Sequence, residues 1–208
     1  MKPWISLAFA VLCQAQTMNT VIGTGYVFDG DGKSAVQAPL GLTISVAVHP
    51  TTNEPYFVDT DNHMVMRVRA DGVLFVAAGN GRAGFSGDGG SAKEASLNTP
   101  RQIAFDRQGV LYIADEANQR VRRVGTDGII TTVAGNGPTG KAPEGAVAAQ
   151  APLNYPHGVA VDSKGNLYIA DHFNDQIRRV DTNGRTTVFA GNGTNASTGD
   201  GGQAASAS

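Results

Sequence analysis

The chain has 208 residues, of which 41% are hydrophobic, so it is long enough to bury the core of one or two domains. Only 16% of the residues are charged and the net charge is −2 at pH 7, which excludes the basic surface that binding to nucleic acid or to an anionic membrane requires. The 27 glycines and the short runs of Val, Ile and Thr indicate strands joined by turns.

Residues 1–15 have the pattern of a secretory signal peptide. Lys2 precedes the apolar run WISLAFAVLC, which is too short to span a bilayer, and Ala15 stands at a cleavage position. The pattern predicts export to the periplasm or the extracellular space and a mature chain that begins near Gln16. A buried N-terminal strand is the alternative, and the tract AVLC disfavours a lipid anchor on Cys13. Cleavage would remove Cys13, the only cysteine, and with it all thiol chemistry.

The remainder of the chain repeats itself every 56 residues. Asp59, Asp115 and Asp171 keep this interval, and an Asn and an Arg follow each of them at fixed distances. Only the first copy slips, by one residue in the turn HPTTNEP, where an insertion in a surface loop costs little. Such a period indicates stacked structural units. The repeated Asn and Arg residues are Asn62, Asn118, Asn174, Arg67, Arg123 and Arg179.

The repeat divides the chain after the signal peptide into four segments. Residues 16–36 contain the run NTVIG, which is predicted to be the leading outer strand of an incomplete unit, and a loop. Residues 37–94 and 95–148 are the first and second complete copies. Residues 149–208 hold the third copy and the start of the next connection.

Each complete copy contains four short strand signals. In the third copy they are GVAVD, NLYIA, QIRRV and RTTVFAG, separated by the turns SKG, DHFND and DTNG. Turns of this length join antiparallel neighbours, which predicts a four-stranded meander. One such sheet cannot bury both of its faces, whereas sheets stacked around an axis can. The sequence therefore predicts an all-β propeller with three complete blades and one leading strand.

The third copy resembles the NHL repeat in its tracts PHGVAVD, GNLYIAD, IRRV and TVFAG, and SGDGG between copies is similar to the long-looped bacterial form. The resemblance covers residues 19–208 and implies a propeller that commonly has six blades. It also implies a binding platform for protein or RNA, a sensor ectodomain or, in a few cases, an enzyme. Six blades require roughly 150 further residues. We therefore expect a fragment whose remaining blades belong to a longer chain, with a ring closed by two chains as the alternative.

The Asp, Asn and Arg columns occur in every copy, which predicts an architectural role for them. The Asp and Asn side chains should hold the turn after the second strand by binding backbone amides. Strand alternation places the repeated Arg on one face of the third strand, where partial burial requires a partner. The expected partner is the turn Asp of the same or the adjacent blade.

The positions that differ between copies indicate the candidate binding residues. One column begins the innermost strand and a second follows the turn Asp, and both should lie at the loop-rich end of the propeller near the mouth of its channel. At an interval of 56 residues, the first column is Ser45, Arg101 and His157, and the second is Thr60, Glu116 and His172. We predict Arg101, Glu116, His157 and His172 as ligand-binding residues, with solvated loop residues as the alternative interpretation.

Standard catalytic signatures are missing from the sequence. No phosphate-binding loop ends in GK[ST], no paired-His zinc motif occurs, and GFSGDG differs from the Gly-x-Ser-x-Gly elbow. The tract DGDGKSA begins like a calcium loop, but Lys33 occupies a ligand position. The connections also carry an acidic column, in which an Asp-Gly turn is favoured over a site for calcium or another divalent metal. That column is Asp88, Glu144 and Asp200, with Asp31 nearly in register.

These features predict a secreted, non-enzymatic propeller that binds a protein, peptide or glycan through its loop-rich face and requires no cofactor. The alternative is a metal-dependent lyase or lactonase, since the resemblance extends to propeller enzymes that gather histidines or carboxylates at the channel mouth. The chain has only four histidines, and His49 and His63 do not match the column of His157. A site with three histidines on the inner strands is therefore disfavoured.

Overall fold

A computed structural model describes residues 28–208 of the chain. The predicted signal peptide and the predicted leading strand NTVIG lie outside the described residues. Within residues 28–208 the regular structure consists of short β-strands and single-turn 3-10 helices, and none of these helices is long and apolar enough to cross a membrane. The 3-10 helices are Ala35–Gln37, Ala92–Glu94, Glu116–Asn118, Ala148–Gln150, His172–Asn174 and Ala204–Ser206.

The strands form three antiparallel sheets, which confirms the predicted four-stranded meanders. The first sheet contains β1 (Thr43–Val48), β2 (Pro55–Asp59), β3 (Met64–Val68) and β4 (Leu74–Ala78). The second contains β5 (Pro100–Phe105), β6 (Leu111–Asp115), β7 (Arg120–Val124) and β8 (Ile130–Ala134). The third contains β10 (Pro156–Val161), β11 (Leu167–Asp171), β12 (Gln176–Val180) and β13 (Arg185–Ala190), and its β13 also pairs with the two-residue strand β9 (Ala146–Val147) of the preceding connection.

Neighbouring sheets pack face to face, with their innermost strands side by side. Strand β1 lies against β5, and β5 lies against β10. Val58 and Ile113 belong to the core between the first two sheets, and Val121 and Ile169 to the core between the second and third. The second sheet therefore buries both of its faces, and the first and third sheets each bury one face against it, as the propeller prediction requires.

The turn Asp of each sheet is fully buried and accepts hydrogen bonds from the connection that leads into that sheet. Asp115 accepts one from the backbone N–H of Asn98 at 2.7 Å and a second from the side-chain amide of Asn118 at 2.8 Å. Asn118 also donates to the carbonyl oxygen of Gly84. The same pattern holds Asp171 and Asp59 through Asn154, Asn174, Gly140, Gly41 and Asn62.

The predicted arginine partner of the turn Asp was wrong by one residue. The side chain of Arg122 is completely buried and lies 3.4 Å from Asp115 and 2.8 Å from Asp88. Its equivalent in the third sheet, Arg178, pairs with Glu144. The predicted residues Arg67, Arg123 and Arg179 are half-buried and lie across the strands from Tyr56, Tyr112 and Tyr168.

The physical reason for this error is that both faces of the third strand are buried. Val121 and Arg122 are both inaccessible to solvent, so alternation does not identify the face that meets the connection. The connection supplies the acceptors on the face that it covers. The carbonyl oxygen of Ser86 and the carboxylate of Asp88 both accept hydrogen bonds from Arg122. The first sheet has Met66 at this position, so the buried Arg is not part of every blade.

The acidic residues of the connections contact the outer strand of the sheet that follows. Asp88 accepts from the hydroxyl of Thr132 at 2.7 Å, and Glu144 accepts from the backbone N–H of Val188 at 3.0 Å. Asp31 accepts from the backbone N–H of Val76 in the same way. These carboxylates fasten the long connections to the sheets. Within residues 28–208, no group of three or more His, Cys, Asp or Glu is arranged to hold a metal ion.

The first glycine of each AGNG tract is required by a close approach of two backbone segments. Gly135 has a φ of +87°, and a Cβ at this position would lie 2.0 Å from the carbonyl oxygen of Gln119. Gly79 and Gly191 have the same geometry against the carbonyl oxygens of His63 and Asp175. Any other residue would combine an unfavourable backbone conformation with a steric clash.

We expect Arg122→Ala to lower the free energy of unfolding by about 3 kcal/mol or more, because it leaves the carboxylate of Asp115 buried without its ionic partner. The matched control is Arg123→Ala, one residue away on the half-buried face, which should cost about 1 kcal/mol. Urea denaturation followed by circular dichroism measures both losses. A larger loss for Arg123→Ala than for Arg122→Ala would contradict the assignment.

Candidate functional site

The candidate site lies at the end of the sheets where the turns between the second and third strands are found. Arg101 and His157 are the second residues of the innermost strands β5 and β10. Glu116 and His172 begin the 3-10 helices that directly follow the turn Asp of β6 and β11. The first residues of β5 and β10 pair with those same Asp residues, which brings the two predicted columns together at one end.

The carboxylate of Glu116 joins the second sheet to the third. It forms an ion pair with Nε of Arg101 in its own sheet, and its Oε2 lies 3.4 Å from Nε2 of His157 in the next sheet. The side chain of Glu116 is only 7% exposed, whereas those of Arg101 and His157 are 36% and 37% exposed. A buried anion thus holds two partly exposed, nitrogen-bearing side chains side by side.

The imidazole of His157 also begins an aromatic patch. It stacks on the ring of His172, with the centroids 4.1 Å apart and the planes 17° from parallel. His172 contacts Phe173 at 4.5 Å, and Phe173 packs edge-on against Tyr155 at 5.0 Å. Phe173 is 59% exposed, so the patch faces solvent. The structure therefore brings all four predicted residues, Arg101, Glu116, His157 and His172, into one chain of contacts.

Phe173 and Tyr155 were missed in the sequence analysis. The signal that could have found them is the comparison between copies, because the equivalents of Phe173 are Ala117 and Asp61, and the equivalent of Tyr155 is Thr99. Aromatic residues at these positions are specific to the third sheet. They add an apolar surface to the ionic cluster.

The assignment of Ser45 to the column of Arg101 and His157 was wrong. The hydroxyl of Ser45 accepts from the backbone N–H of Ile103, and the amide oxygen of Gln102 accepts from the N–H of Val159, so Ser45 corresponds to Gln102. The extra residue in the turn HPTTNEP shifts the register of every position before it in the first copy. Ile44 therefore stands where the other sheets have Arg101 and His157.

The alternative reading of the second column as solvated loop residues was wrong for two of its members. Thr60 and Glu116 are both buried. The hydroxyl of Thr60 donates to the carbonyl oxygen of Pro100 in the second sheet, and the carboxylate of Glu116 contacts His157 in the third sheet. Each of these side chains therefore links its own sheet to the next. His172 occupies the same column and is exposed.

The pKa of His157 lies below the usual value of an exposed imidazole. Burial is the main cause, because it disfavours the charged form, and the positive charges of His172 and Arg101 act in the same direction. The carboxylate of Glu116 opposes this effect. His157 is therefore predominantly neutral near pH 7, where it can accept or donate a hydrogen bond.

We expect Glu116→Gln to lower the pKa of His157 further, because it removes the one charge that favours the imidazolium. His172→Ala should raise the pKa of His157, because it removes a like charge and exposes the ring. Titration of the imidazole proton resonances by NMR measures both shifts, with His49 as the internal control. A pKa of His157 that rises in Glu116→Gln would show that the carboxylate does not act on this ring.

Comparisons with known proteins agree with this architecture. The model of the Teneurin NHL domain family matches residues 44–139 and 136–205. Mouse Teneurin-1 is 33% identical over 165 residues, which cover 70% of this chain and 6% of Teneurin-1, so the chain corresponds to a small part of that relative.

Two solved structures from Bacteroides thetaiotaomicron have the same fold. A structural genomics protein of unknown function is 24% identical with a TM-score of 0.56, covering 69% of this chain and 34% of that one. An auxiliary nutrient binding protein is 20% identical with a TM-score of 0.55, covering 74% of this chain and 37% of that one. The resemblance to the NHL repeat is thereby confirmed, and the chain belongs to the Teneurin NHL domain family.

Proposed function

We propose that this NHL propeller is a binding scaffold that holds an extracellular protein, peptide or glycan on the face carrying Arg101, Glu116, His157 and His172. The observation that carries the proposal is the cluster itself: partly exposed Arg, His and aromatic side chains lie around the buried carboxylate of Glu116, at positions that differ between the sheets. Residues that hold the sheets together recur in each of them, whereas a ligand site on a repeat fold has to be built from the differences.

The chemistry of the cluster favours a ligand with an acidic group beside a ring or apolar surface. Glu116 engages Nε of Arg101, and the partly exposed guanidinium offers its terminal nitrogens to a carboxylate or sulfate. The neutral imidazole of His157 adds a hydrogen-bonding group next to it. Phe173 and His172 provide a flat surface on which a sugar ring or an aromatic side chain can pack.

We place the three sheets in a six-bladed ring whose other blades belong to a longer chain, with a ring closed by two chains as the alternative. The contacts between sheets support further blades. His63 and Gln119 each accept a hydrogen bond from a backbone N–H of the next sheet, and Asp175 presents a carboxylate at the same position of the third sheet. Light scattering separates the alternatives, since a stable dimer of this chain would favour the two-chain ring.

We also propose that the protein is exported. The support is the N-terminal pattern of Lys2, a short apolar run and Ala15. A binding role outside the cytoplasm is compatible with the name of one structural neighbour, an auxiliary nutrient binding protein. N-terminal sequencing that finds Met1 on the mature protein would contradict the export proposal.

A metal-dependent lyase or lactonase is the second candidate, favoured by the juxtaposition of His157, His172 and Glu116. Such an enzyme would need ligands from further blades, because these three residues are not arranged to hold an ion by themselves within residues 28–208. Metal analysis of the purified protein, before and after incubation with zinc or calcium, separates the two functions. A stoichiometric ion lost together with His157 would favour the enzyme over the scaffold.

We expect Phe173→Ala to weaken ligand binding by about tenfold without changing the melting temperature, because Ala117 occupies the same position in the second sheet. Arg101→Lys should also weaken binding, because lysine keeps the charge and loses the planar fork. The assay is binding to arrays of acidic oligosaccharides and acidic peptides, with their neutral analogues alongside.

The matched control is Phe189→Ala, which removes a phenylalanine of similar exposure from the outer strand of the same sheet. This variant should bind as the original chain does. Binding that survives Phe173→Ala and Arg101→Lys unchanged, or that is lost equally in Phe189→Ala, would contradict the location of the site.

A further inference from the structure

A groove of about 470 Å³ separates the first and second sheets at the end opposite the candidate site. The turn between β1 and β2 forms one rim and the turn between β7 and β8 forms the other. Its walls include Tyr56, Arg67 and Phe105, and Lys93 stands at its edge. None of these residues belongs to the cluster on the opposite face.

One side chain distinguishes the entrance of this groove from the equivalent positions of the other sheets. The residue after the innermost strand is Asp106 in the second sheet and Asp162 in the third, and each carboxylate caps the turn that follows. In the first sheet this residue is His49, whose Nδ1 accepts from the backbone N–H groups of Thr51 and Thr52. His49 therefore caps the turn as the aspartates do, but it brings no negative charge to this position.

The loss of that carboxylate changes the surroundings of a tyrosine and an arginine. In the third sheet the hydroxyl of Tyr168 donates to Asp162 at 3.3 Å. In the second sheet burial raises the pKa of Tyr112, and the nearby carboxylate of Asp106 adds to this effect. The equivalent Tyr56 lies across the strands from Arg67, with His49 beside it. Arg67 instead forms an ion pair with Glu54, whose carboxylate lies 3.6 Å from Nη1, beyond hydrogen-bond distance.

Two further exchanges make this groove more positive than its counterpart between the second and third sheets. Lys93 corresponds to Ala149 in the next copy, and Gly125 corresponds to Asp181. The residues that line the groove include Arg67 and Lys93 and no Asp or Glu. At the equivalent positions between the second and third sheets, alanine replaces Lys93, and aspartates replace His49 and Gly125.

We propose that this groove binds a sugar acid, such as a hexuronate. Its carboxylate would lie between Arg67 and Lys93, on the side where the other sheets supply an Asp. Its ring would pack on the aromatic wall that Tyr56 and Phe105 form, whose ring centroids are 4.9 Å apart. The hydroxyls of Thr51 and Thr52 lie at the rim and suit the polar edge of a sugar. The volume suits a ligand of one or two sugar rings.

Isothermal titration calorimetry with glucuronate tests this site directly, with glucose and acetate as the two partial ligands. We expect glucuronate to bind and each partial ligand to bind at least about tenfold more weakly, because each lacks the ring or the charge. Absence of glucuronate binding at millimolar concentration would overturn the proposal. Equal binding of acetate would overturn it as well, because the groove would then hold an adventitious anion.

Two substitutions taken from the other blades locate the binding. His49→Asp restores the carboxylate, and Lys93→Ala removes the added cation. We expect each to weaken glucuronate binding by about tenfold. Both replacements already occupy these positions elsewhere in the chain, so the melting temperature should change little. Because Lys93 is exposed, its variant keeps the test valid even if His49→Asp folds poorly.

The matched control is Lys164→Ala, which removes an exposed lysine from the same end of the third sheet. Its affinity for glucuronate should equal that of the original chain. Unchanged affinity in both His49→Asp and Lys93→Ala, or an equal loss in Lys164→Ala, would show that glucuronate binds elsewhere. Because neither variant touches Arg101 or Phe173, this outcome is independent of the function proposed for the opposite face.

Discussion

The buried carboxylate at the end of each second strand is the interaction on which the rest of the structure depends. Asp59, Asp115 and Asp171 have no solvent contact, and a buried carboxylate without hydrogen-bond donors is strongly unfavourable. The donors come from the connection that enters the same sheet, so the Asp fixes where the innermost strand begins. Arg101 and His157 follow three residues after the donating Asn98 and Asn154, and their positions are therefore set by the architecture.

The same constraint separates residues that hold the fold from residues that are free to specialise. The pKa of Asp115 is raised to about 6 by burial, and the hydrogen bonds from Asn118 and Asn98 and the charge of Arg122 limit this rise. Those donors stabilise the ionised form that the packed sheets require. The next residue along the chain, Glu116, reaches the following sheet, and its type differs in each blade. Asp115 thus stabilises the fold, whereas the neighbouring Glu116 shapes the candidate binding face.

Much of the fold could be predicted from the sequence, because Gly, Asp and Asn mark the turns and a 56-residue period marks the sheets. The partner of Asp115 could not, since both faces of β7 are buried and alternation does not distinguish Arg122 from Arg123. Ser45 was assigned to the wrong column because one residue is inserted in the turn that follows it. Column comparison brought Arg101 and His157 to attention, and the same comparison extended to Phe173 would have completed the patch. The groove beside His49 required coordinates, since its walls come from separate strands.

Amide hydrogen exchange at Gly41, Asn98 and Asn154 tests most directly whether the buried carboxylates organise the blades. These three amides lie in long connections outside the strands, and they donate to Asp59, Asp115 and Asp171. The account predicts that they exchange as slowly as the amides of the central strands, and that Asp115→Ala accelerates exchange at Asn98 more than at Asn154. Rapid exchange at all three, at the rate of an amide without a hydrogen-bond partner, would contradict it.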